Sequence, residues 1–306
     1  MNLSTPPKIN LPRALSAGDT LGIAAPASPF DRTAFNAGVQ ALESMGFNLV
    51  VPEEIYATDG YLAGTDPLRA DLVHRLFADP DIRGIVCARG GYGAMRILPL
   101  LDAELINTHP KVLVGFSDIT VLLTFLVERC GMAAFHGPTV TTLGNGNAGT
   151  RDHFRLALTD PSPITIVAGH GHVIHPGQAR GTFYCGNLTL FCHLLGTPFA
   201  PDFNGAVLLI EDQGEAPYRI DRMLTQMRQA GCFDHLAGLA LGTFTNCGST
   251  EEVHRIVAER LRDLEIPILG GFAVGHEGVN HTLPVGIPAQ LDTDAGSLTF
   301  TVSAFC

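Results

Sequence analysis

Lys111-Val-Leu-Val-Gly-Phe-Ser-Asp-Ile-Thr-Val-Leu-Leu-Thr-Phe-Leu126 joins a short apolar run to a helix-like pattern through a polar break. The run at 112–114 predicts a buried strand, and the spacing at 119–127 predicts a helix. Ser117 therefore stands where a nucleophile elbow places its serine, beside the free N–H groups of a helix start. A serine at this junction is also an ordinary helix N-cap, and Ile119 replaces the second glycine of G-x-S-x-G. The stretch alone leaves both interpretations open.

Strands and helices alternate around this stretch. Apolar runs predict strands at 21–25, 47–51, 82–88 and 112–114, and helices at 30–45, 70–77 and 94–101. This alternation implies right-handed crossovers and a doubly wound parallel sheet in an α/β domain. Such sheets bind ligands at the carboxyl ends of their strands, where the loops 25–28, 89–93 and 115–118 would meet.

The composition changes after residue 142. Residues 142–149 are rich in Gly and Asn, and 160–178 hold many Gly, Pro and His, as is typical of a linker with a short extended segment. Beyond it we predict helices at 188–195, 220–229 and 251–264, and strands at 206–210, 236–244 and 297–302. The sequence thus predicts a nucleophile-bearing domain at 1–145, a linker at 146–178 and a second domain at 179–306.

Composition excludes several classes of protein. The 306 residues are 16% charged and 46% hydrophobic, which is enough apolar material for two cores. A net charge of −11 argues against nucleic-acid binding. The N-terminal residues 1–10 lack a signal-peptide core, and no run reaches the length of a membrane span. The seven cysteines form no C-x-x-C. We therefore expect a cytosolic protein with reduced, mostly buried thiols.

A glycine-rich loop, Arg89-Gly-Gly-Tyr-Gly93, follows the third predicted strand. Paired glycines let backbone N–H groups approach a ligand, which suits an oxyanion hole or a carboxylate cradle. A tight turn is the alternative. The loop does not match a phosphate-binding fingerprint.

An acidic segment follows the strand at 206–210. Glu211 would be rigid and partly desolvated there, so it needs a partner. That partner is either an arginine in a structural ion pair or a histidine that the carboxylate orients. Glu215 lies in the loop, and Asp221 and Arg222 are typical of a solvated helix start.

Three histidines are candidates for a base. His276, between Gly275 and a loop, is placed for a reactive imidazole that a carboxylate would orient. His281 competes with it five residues later. His136, in Phe135-His-Gly-Pro138, is interpreted as supporting or structural.

These segments together resemble the serine L,D-carboxypeptidase family, which also contains hydrolases for self-immunity to microcin-type peptide–nucleotide antibiotics. The matching segments, in family order, are 22–28, 87–94, 115–120, 135–138, 185–188, 195–198, 209–212 with 217–222, and 275–276 with 280–286. Each is weak alone, but the ordered set covers nearly the whole chain.

The resemblance implies a flavodoxin-like N-terminal domain and a swivelling-type C-terminal β/α domain, with a Ser-Glu-His triad at their junction. By position the nucleophile would be Ser117, the orienting acid Glu211 and the base His276. The oxyanion donors would be backbone N–H groups near Gly91 and Asp118.

The implied reaction is release of the terminal D-Ala from a murein tetrapeptide, a small peptide substrate, through an acyl-enzyme and without a metal or cofactor. The terminal carboxylate would be held by the amides of Gly90 and Gly91 or by Arg89. Arg69 is a weaker candidate and is otherwise a structural residue at a helix start. The resemblance also implies a homodimer. The cytoplasmic location expected from the missing export signal fits a role in cell-wall recycling.

Two other functions compete with this one. The first is hydrolysis of an aminoacyl-nucleotide antibiotic, which would benefit from an aromatic platform for the base. The absence of tryptophan and the compact acidic loop 211–222 favour the murein peptide. The second is a non-catalytic binding protein, which would not need Ser117, Glu211 and His276 together.

Overall fold

The computed structural model describes residues 9–169 and 171–306. Its α-helices are α1 (Arg32–Ser44), α2 (Asp66–Ala78), α3 (Ala94–Ile97), α4 (Ala103–Thr108), α5 (Thr120–Glu128), α6 (Val140–Asn145), α7 (Ala148–Thr159), α8 (Leu188–Leu194), α9 (Pro217–Gln229) and α10 (Thr250–Arg260). Its strands are β1 (Thr20–Ala24), β2 (Asn48–Val50), β3 (Ile82–Cys87), β4 (Val112–Gly115), β5 (Ala134–His136), β6 (Thr165–Val167), β7 (His172–His175), β8 (Gln178–Asn187), β9 (Val207–Gln213), β10 (Gly238–Thr245), β11 (Ile268–Gly270), β12 (Leu283–Val285), β13 (Pro288–Asp292) and β14 (Ser297–Phe300). The expectation that the N-terminal segment lacks a signal-peptide core concerns residues 1–8 in part, and these lie outside the described residues.

The first sheet has the order β12-β5-β4-β3-β1-β2. Strands β1 to β5 are parallel, and β12 joins antiparallel to β5 from far along the chain. The four strands predicted in this half are confirmed as β1 to β4. The inner strands β1, β3 and β4 are mostly apolar and buried because helices cover both sides of a parallel sheet, whereas the edge strand β2 is largely exposed. The carboxyl ends of β1, β3 and β4 consequently share one edge.

The second sheet has the order β6-β14-β13-β8-β9-β10-β11-β7. Its central strands β8 to β11 are parallel, and the outer strands pair antiparallel. The fold is therefore a mixed α/β fold with two mixed sheets. Strand β9 runs on to Gln213, so Glu211 lies within the strand and not after it.

The segment at 146–178 is more regular than its composition indicates. It contains α7, β6 and β7. Helix α7 begins here because the Asn147 side chain accepts a hydrogen bond from the N–H of Thr150 at 2.8 Å. The division into two domains joined by a linker stays a prediction.

Cysteine burial follows the expectation. Cys87, Cys130, Cys185, Cys192 and Cys247 are buried free thiols, and burial raises the pKa of each. These thiols stay protonated near neutral pH. Across the described ranges, no helix combines the length and apolar character needed to cross a bilayer.

Candidate active site

Ser117 occupies a strained turn at the end of β4. Its φ is 63°, a left-handed value that costs a non-glycine residue energy. It starts a short 3₁₀ turn, Ser117–Ile119, whose N-cap is Phe116 and which has no side-chain cap hydrogen bond. The N-cap interpretation of Ser117 is therefore wrong. Its side chain is half-exposed, whereas Phe116 and Asp118 are buried, so the turn presents the hydroxyl outward.

The glycine-rich loop lies against this serine. A β-carbon on Gly90 would lie 2.9 Å from Cβ and 3.2 Å from Oγ of Ser117. Gly91 has a φ of +104° that few other residues adopt. Within 9–169 and 171–306, no hydrogen bond uses the N–H of Gly90, Gly91 or Asp118. These donors are available to an anion next to Ser117.

Side chains from the neighbouring loops fix the glycine-rich loop. Ser28 Oγ accepts from the N–H of Tyr92 at 3.0 Å and donates to the Tyr92 carbonyl at 3.3 Å. Asp118 Oδ2 accepts from the N–H of Ala94 at 2.8 Å. The predicted meeting of loops 25–28, 89–93 and 115–118 is thus confirmed. Burial raises the pKa of Asp118, and this hydrogen bond opposes that effect.

Arg69 acts as a structural residue. It is 1% exposed, and its Nη1 donates to the carbonyls of Pro26 and Gly93, which follow β1 and β3. Its Nη2 pairs with Asp66 at the start of α2. The guanidinium therefore ties two site loops to a helix, as the structural interpretation predicts. Arg89 is exposed, and its Nη1 donates to the carbonyl of Pro29 at 2.7 Å.

Glu211 and His276 are in direct contact. Glu211 Oε2 lies 2.6 Å from His276 Nδ1, and the carboxylate is fully buried. Its partner is a histidine, so the alternative of a structural pair with an arginine is wrong. Burial raises the pKa of Glu211, and the hydrogen bond with His276 opposes it. Burial lowers the pKa of His276, but the hydrogen bond to and charge of Glu211 outweigh this and raise it overall.

Asn187 supports this pair and was not singled out from the sequence. Strands β8 and β9 pair in parallel so that Asn187 stands opposite Glu211. Its Nδ2 donates to Glu211 Oε1 at 3.2 Å and to Asp212 Oδ1 at 3.0 Å. One amide group thus bridges two buried carboxylates. The available signal was an asparagine immediately before helix α8, whose N-cap it forms through Leu190 N–H.

The competing histidines lie elsewhere. The His281 ring stacks on His153 at 4.3 Å, so His276 and not His281 pairs with Glu211. His136 is fully buried, and burial lowers its pKa to about 3. The ring of Phe116 lies between His136, at 5.9 Å, and His276, at 4.8 Å. His136 is therefore a buried, neutral side chain that packs against Phe116.

Phe116 also connects the two halves of the site. Its ring touches His276, and its backbone carries Ser117. Among the hydrogen bonds of the described residues, none joins Ser117 Oγ to His276, a contact that often tightens only with substrate bound. Glu211 thus contacts His276 directly. Ser117 is linked to this pair through the preceding residue, Phe116, whose ring packs on His276.

The remaining acidic candidates form surface contacts. Glu215 pairs with Arg219 at 3.3 Å, and Asp221 lies 3.7 Å from Arg260. Arg222 covers the exposed ring of Tyr218 at 5.6 Å. They belong to the solvated start of α9, as predicted.

Known proteins match this chain along most of its length. Family models described as the LD-carboxypeptidase N-terminal and C-terminal domains match residues 21–137 and 180–291. The probable murein peptide carboxypeptidase of Bacillus subtilis is 35% identical over 298 residues, covering 92% of this chain and 91% of that protein. The murein tetrapeptide carboxypeptidase of Pseudomonas aeruginosa is 34% identical over 288 residues, covering 89% and 92%.

Solved structures agree with the sequence comparisons. MccF, a microcin self-immunity protein of Escherichia coli, has been solved in complex with glutamyl sulfamoyl guanosine. That structure has a TM-score of 0.91 and 26% identity, covering 97% of this chain and 99% of that chain. The models of both family domains match this chain, and relatives more than 30% identical align with most of its length. The chain therefore belongs to the LD-carboxypeptidase family.

Proposed function

We propose that this protein is a serine-type L,D-carboxypeptidase that releases the terminal D-Ala from murein tetrapeptides. The observation that carries the proposal is the 2.6 Å contact between buried Glu211 and His276, next to a serine held at a φ of 63°. Relatives named as murein peptide carboxypeptidases support the substrate class. A binding protein would not need this arrangement.

In the first half of the reaction, Ser117 Oγ attacks the carbonyl carbon that precedes D-Ala, while Nε2 of His276 takes the hydroxyl proton. Glu211 holds the Nδ1–H of the imidazole and stabilises its protonated form. The N–H groups of Asp118 and of the glycine pair 90–91 would donate hydrogen bonds to the oxyanion. His276 then returns the proton to the leaving nitrogen, the C–N bond breaks and D-Ala departs.

In the second half, water attacks the ester carbonyl of the acyl-enzyme. His276 takes a proton from this water and passes it to Ser117 Oγ as the C–O bond to the serine breaks. The shortened peptide leaves with a new carboxylate, and the serine regains its hydroxyl. No external oxidant or reductant enters.

We further infer that the first half of the chain is flavodoxin-like, since its parallel strands have the order 2-1-3-4-5. The swivelling type of the second half and the boundaries at 145 and 178 remain predictions. So do a homodimer, a cytoplasmic location and a role in cell-wall recycling.

Hydrolysis of an aminoacyl-nucleotide antibiotic is the second candidate. The similarity to MccF favours it, and so does one feature of the surface. Tyr61 and Tyr92 are 63% and 51% exposed and meet at 5.4 Å, edge to face, beside the glycine-rich loop. Such a pair offers an aromatic surface for a flat ring in a chain without tryptophan.

D-Alanine release from UDP-MurNAc-tetrapeptide tests the first candidate, with EDTA present and with Ser117→Ala alongside. We expect release that EDTA does not affect and that the variant lacks. Absence of release from both diaminopimelate- and lysine-containing tetrapeptides, by folded protein, would reject it. An aminoacyl sulfamoyl adenosine would then be the substrate to assay.

A further inference from the structure

Helix α7 lies against the loop at 275–282, which we call the histidine loop because it carries His276. Asn147, Thr150 and His153 follow one another at three-residue spacing at the start of this helix, so each neighbours the next on its surface. All three side chains form hydrogen bonds with the backbone of the histidine loop. The segment predicted as a linker thus supports a loop that lies more than a hundred positions later in the chain.

Thr150 makes the central contacts with this loop. Its Oγ1 donates to the Gly278 carbonyl at 3.2 Å and accepts from the N–H of Asn280 at 3.3 Å. Asn147 Nδ2 donates to the same Gly278 carbonyl at 2.7 Å. Thr150 is only 1% exposed, so water does not easily replace its hydroxyl. One buried hydroxyl therefore fixes two backbone groups of the histidine loop.

Asn280 connects these contacts to the turn before His276. Its Oδ1 accepts from the N–H of Gly275 at 3.0 Å, and its side chain is 1% exposed. Gly275 immediately precedes His276, whose Nδ1 lies 2.6 Å from Glu211 Oε2. A series of hydrogen bonds thus leads from Thr150 through Asn280 to the turn that determines where the imidazole lies.

His153 holds the far end of the histidine loop. Its Nδ1 lies 3.1 Å from the N–H of Thr282 and accepts from it, which requires that this nitrogen carry no proton. Burial, with a smaller effect of His281, lowers the pKa of His153 to about 4. The ring is therefore neutral near pH 7 and remains an acceptor.

Helix α7 is itself attached to the first half of the chain. Arg151 Nε donates to the Leu143 carbonyl at 2.9 Å, and its Nη2 donates to the Gly144 carbonyl at 3.0 Å, both in α6. The N–H of Leu15 donates to the Leu158 carbonyl near the end of α7 at 2.9 Å. The helix therefore ties the loop that carries the base to the half that carries the nucleophile.

We propose that Thr150 is a positioning residue for His276, whose hydroxyl keeps the histidine loop where the imidazole meets Glu211. Asn147 and His153 supply the flanking contacts. This inference rests on the proposed function only in that it takes His276 as the base. Because Thr150 is buried, it acts through the loop and not by contact with a substrate.

Thr150→Val tests this role by replacing the hydroxyl with a methyl group. We expect kcat for D-Ala release to fall about 10- to 100-fold, since displacing a catalytic group by about 1 Å has an effect of this order. KM should stay within about twofold, because no substrate contact is removed. Thr150→Ser keeps the hydroxyl and should recover most of the rate. The matched control is Thr159→Val, since that hydroxyl donates to the Arg155 carbonyl within α7 itself.

Nitrogen NMR of histidine-labelled protein tests the positioning without a substrate, at a pH where His276 is neutral. Contact with Glu211 places the imidazole proton on Nδ1, and Glu211→Gln identifies the signals. We expect the Nδ1–H tautomer in the wild type, Thr150→Ser and Thr159→Val, and a mixture of tautomers in Thr150→Val. Circular dichroism checks that each variant is folded.

A second variant covers the case in which Thr150→Val does not fold. Asn147→Asp keeps the oxygen that caps α7 but loses the donor to the Gly278 carbonyl, so it should produce the same mixture of tautomers. A folded Thr150→Val or Asn147→Asp protein with the wild-type tautomer, or a wild-type ring without the Nδ1 proton, would overturn the inference. If the wild type releases no D-Ala although the tautomer depends on Thr150, the proposed function is wrong and the positioning role stands.

Discussion

The backbone of Gly275 faces the carboxylate of Glu211 so closely that a β-carbon there would lie 2.8 Å from Oε2. The same β-carbon would lie 2.5 Å from Oγ1 of Thr243. Gly275 has a φ of +129°, and its N–H donates to Asn280 Oδ1 at 3.0 Å. This glycine therefore determines how near the following residue, His276, comes to its carboxylate.

Gly275→Ala should cause a large loss of activity because the added methyl group would push His276 away from Glu211. We expect kcat/KM for D-Ala release to fall about 100-fold or more, since displacing a catalytic group by about 1 Å has this effect. The matched control is Gly278→Ala in the same loop, where the nearest atom to the new carbon would be 3.9 Å away. Similar losses in both variants would contradict the prediction.

In the proposed mechanism His276 is the base, so the acid limb of the pH profile of kcat/KM should report the pKa of His276. The base must be neutral, so kcat/KM rises with pH through its pKa. Glu211, with a further contribution from Asp212, raises this pKa above the usual 6.5 despite burial, so the wild-type midpoint should lie above pH 6.5. Neutral His136 faces the same site and adds no charge near pH 7.

Glu211→Gln should move that midpoint to lower pH, because the charge that stabilises the imidazolium is gone. The plateau rate should fall about 10³-fold or more, since an amide also permits the wrong imidazole tautomer. The measurement is kcat/KM for D-Ala release between pH 5 and 9. Glu215→Gln, in a surface pair with Arg219, should leave the midpoint and plateau unchanged. An unshifted midpoint in Glu211→Gln would reject the assignment of the base.

Phe116→Leu should shift the same midpoint downward by a smaller amount. The Phe116 ring centroid lies 4.8 Å from that of His276, within range of a cation–π contact with the protonated imidazole. We expect a shift of about 0.4 to 0.7 pH unit, as such a contact is worth about 0.5–1 kcal/mol. Phe125→Leu removes a buried ring that instead faces Phe199 and should leave the midpoint in place. A simple packing role for Phe116 would lower the rate without moving the midpoint.

Arg69→Met should destabilise the fold and the glycine-rich loop together. The buried guanidinium holds the carbonyls of Pro26 and Gly93, which would lose their donor. We expect the free energy of unfolding to fall by about 3 kcal/mol in urea denaturation. Arg75→Met removes exposed pairs with Glu54 and Asp71 and should cost less than about 1 kcal/mol. Equal costs for both variants would contradict the structural role of Arg69.

Short windows of sequence were sufficient to predict the strands and helices whose formation depends on neighbouring residues. Strands β1 to β4 follow from short, mostly apolar runs, and the meeting of three loops follows from the geometry of parallel strands. Strand β12 escaped prediction because it is three residues long, contains Pro284 and owes its pairing to distant β5. Helix α7 escaped because its Gly- and Asn-rich start resembles a linker, although Asn147 caps it.

In the candidate site, too, the contacts between residues far apart in the chain were not predicted. The pattern alone named Glu211 and His276 as candidates and left alternatives to each; the family resemblance selected the two residues, and neither showed that they touch. That contact, and the support from Asn187, depend on the register of β8 against β9 and on the Gly275 turn. Such long-range pairings are not visible in a window of sequence.

The pairing of β12 with β5 bears on any attempt to divide this protein into two pieces. Leu283 to Val285 lie more than a hundred residues beyond the predicted linker start at 146, yet they complete the first sheet. A fragment that ends in the linker would leave β5 as an open edge, ready to pair with other chains. A fragment that begins after the linker would contain β12 but not β5, the strand with which β12 pairs. The serine and histidine sides of the site are thus joined by a backbone ladder, and pieces made separately would have to recombine by strand addition to restore it.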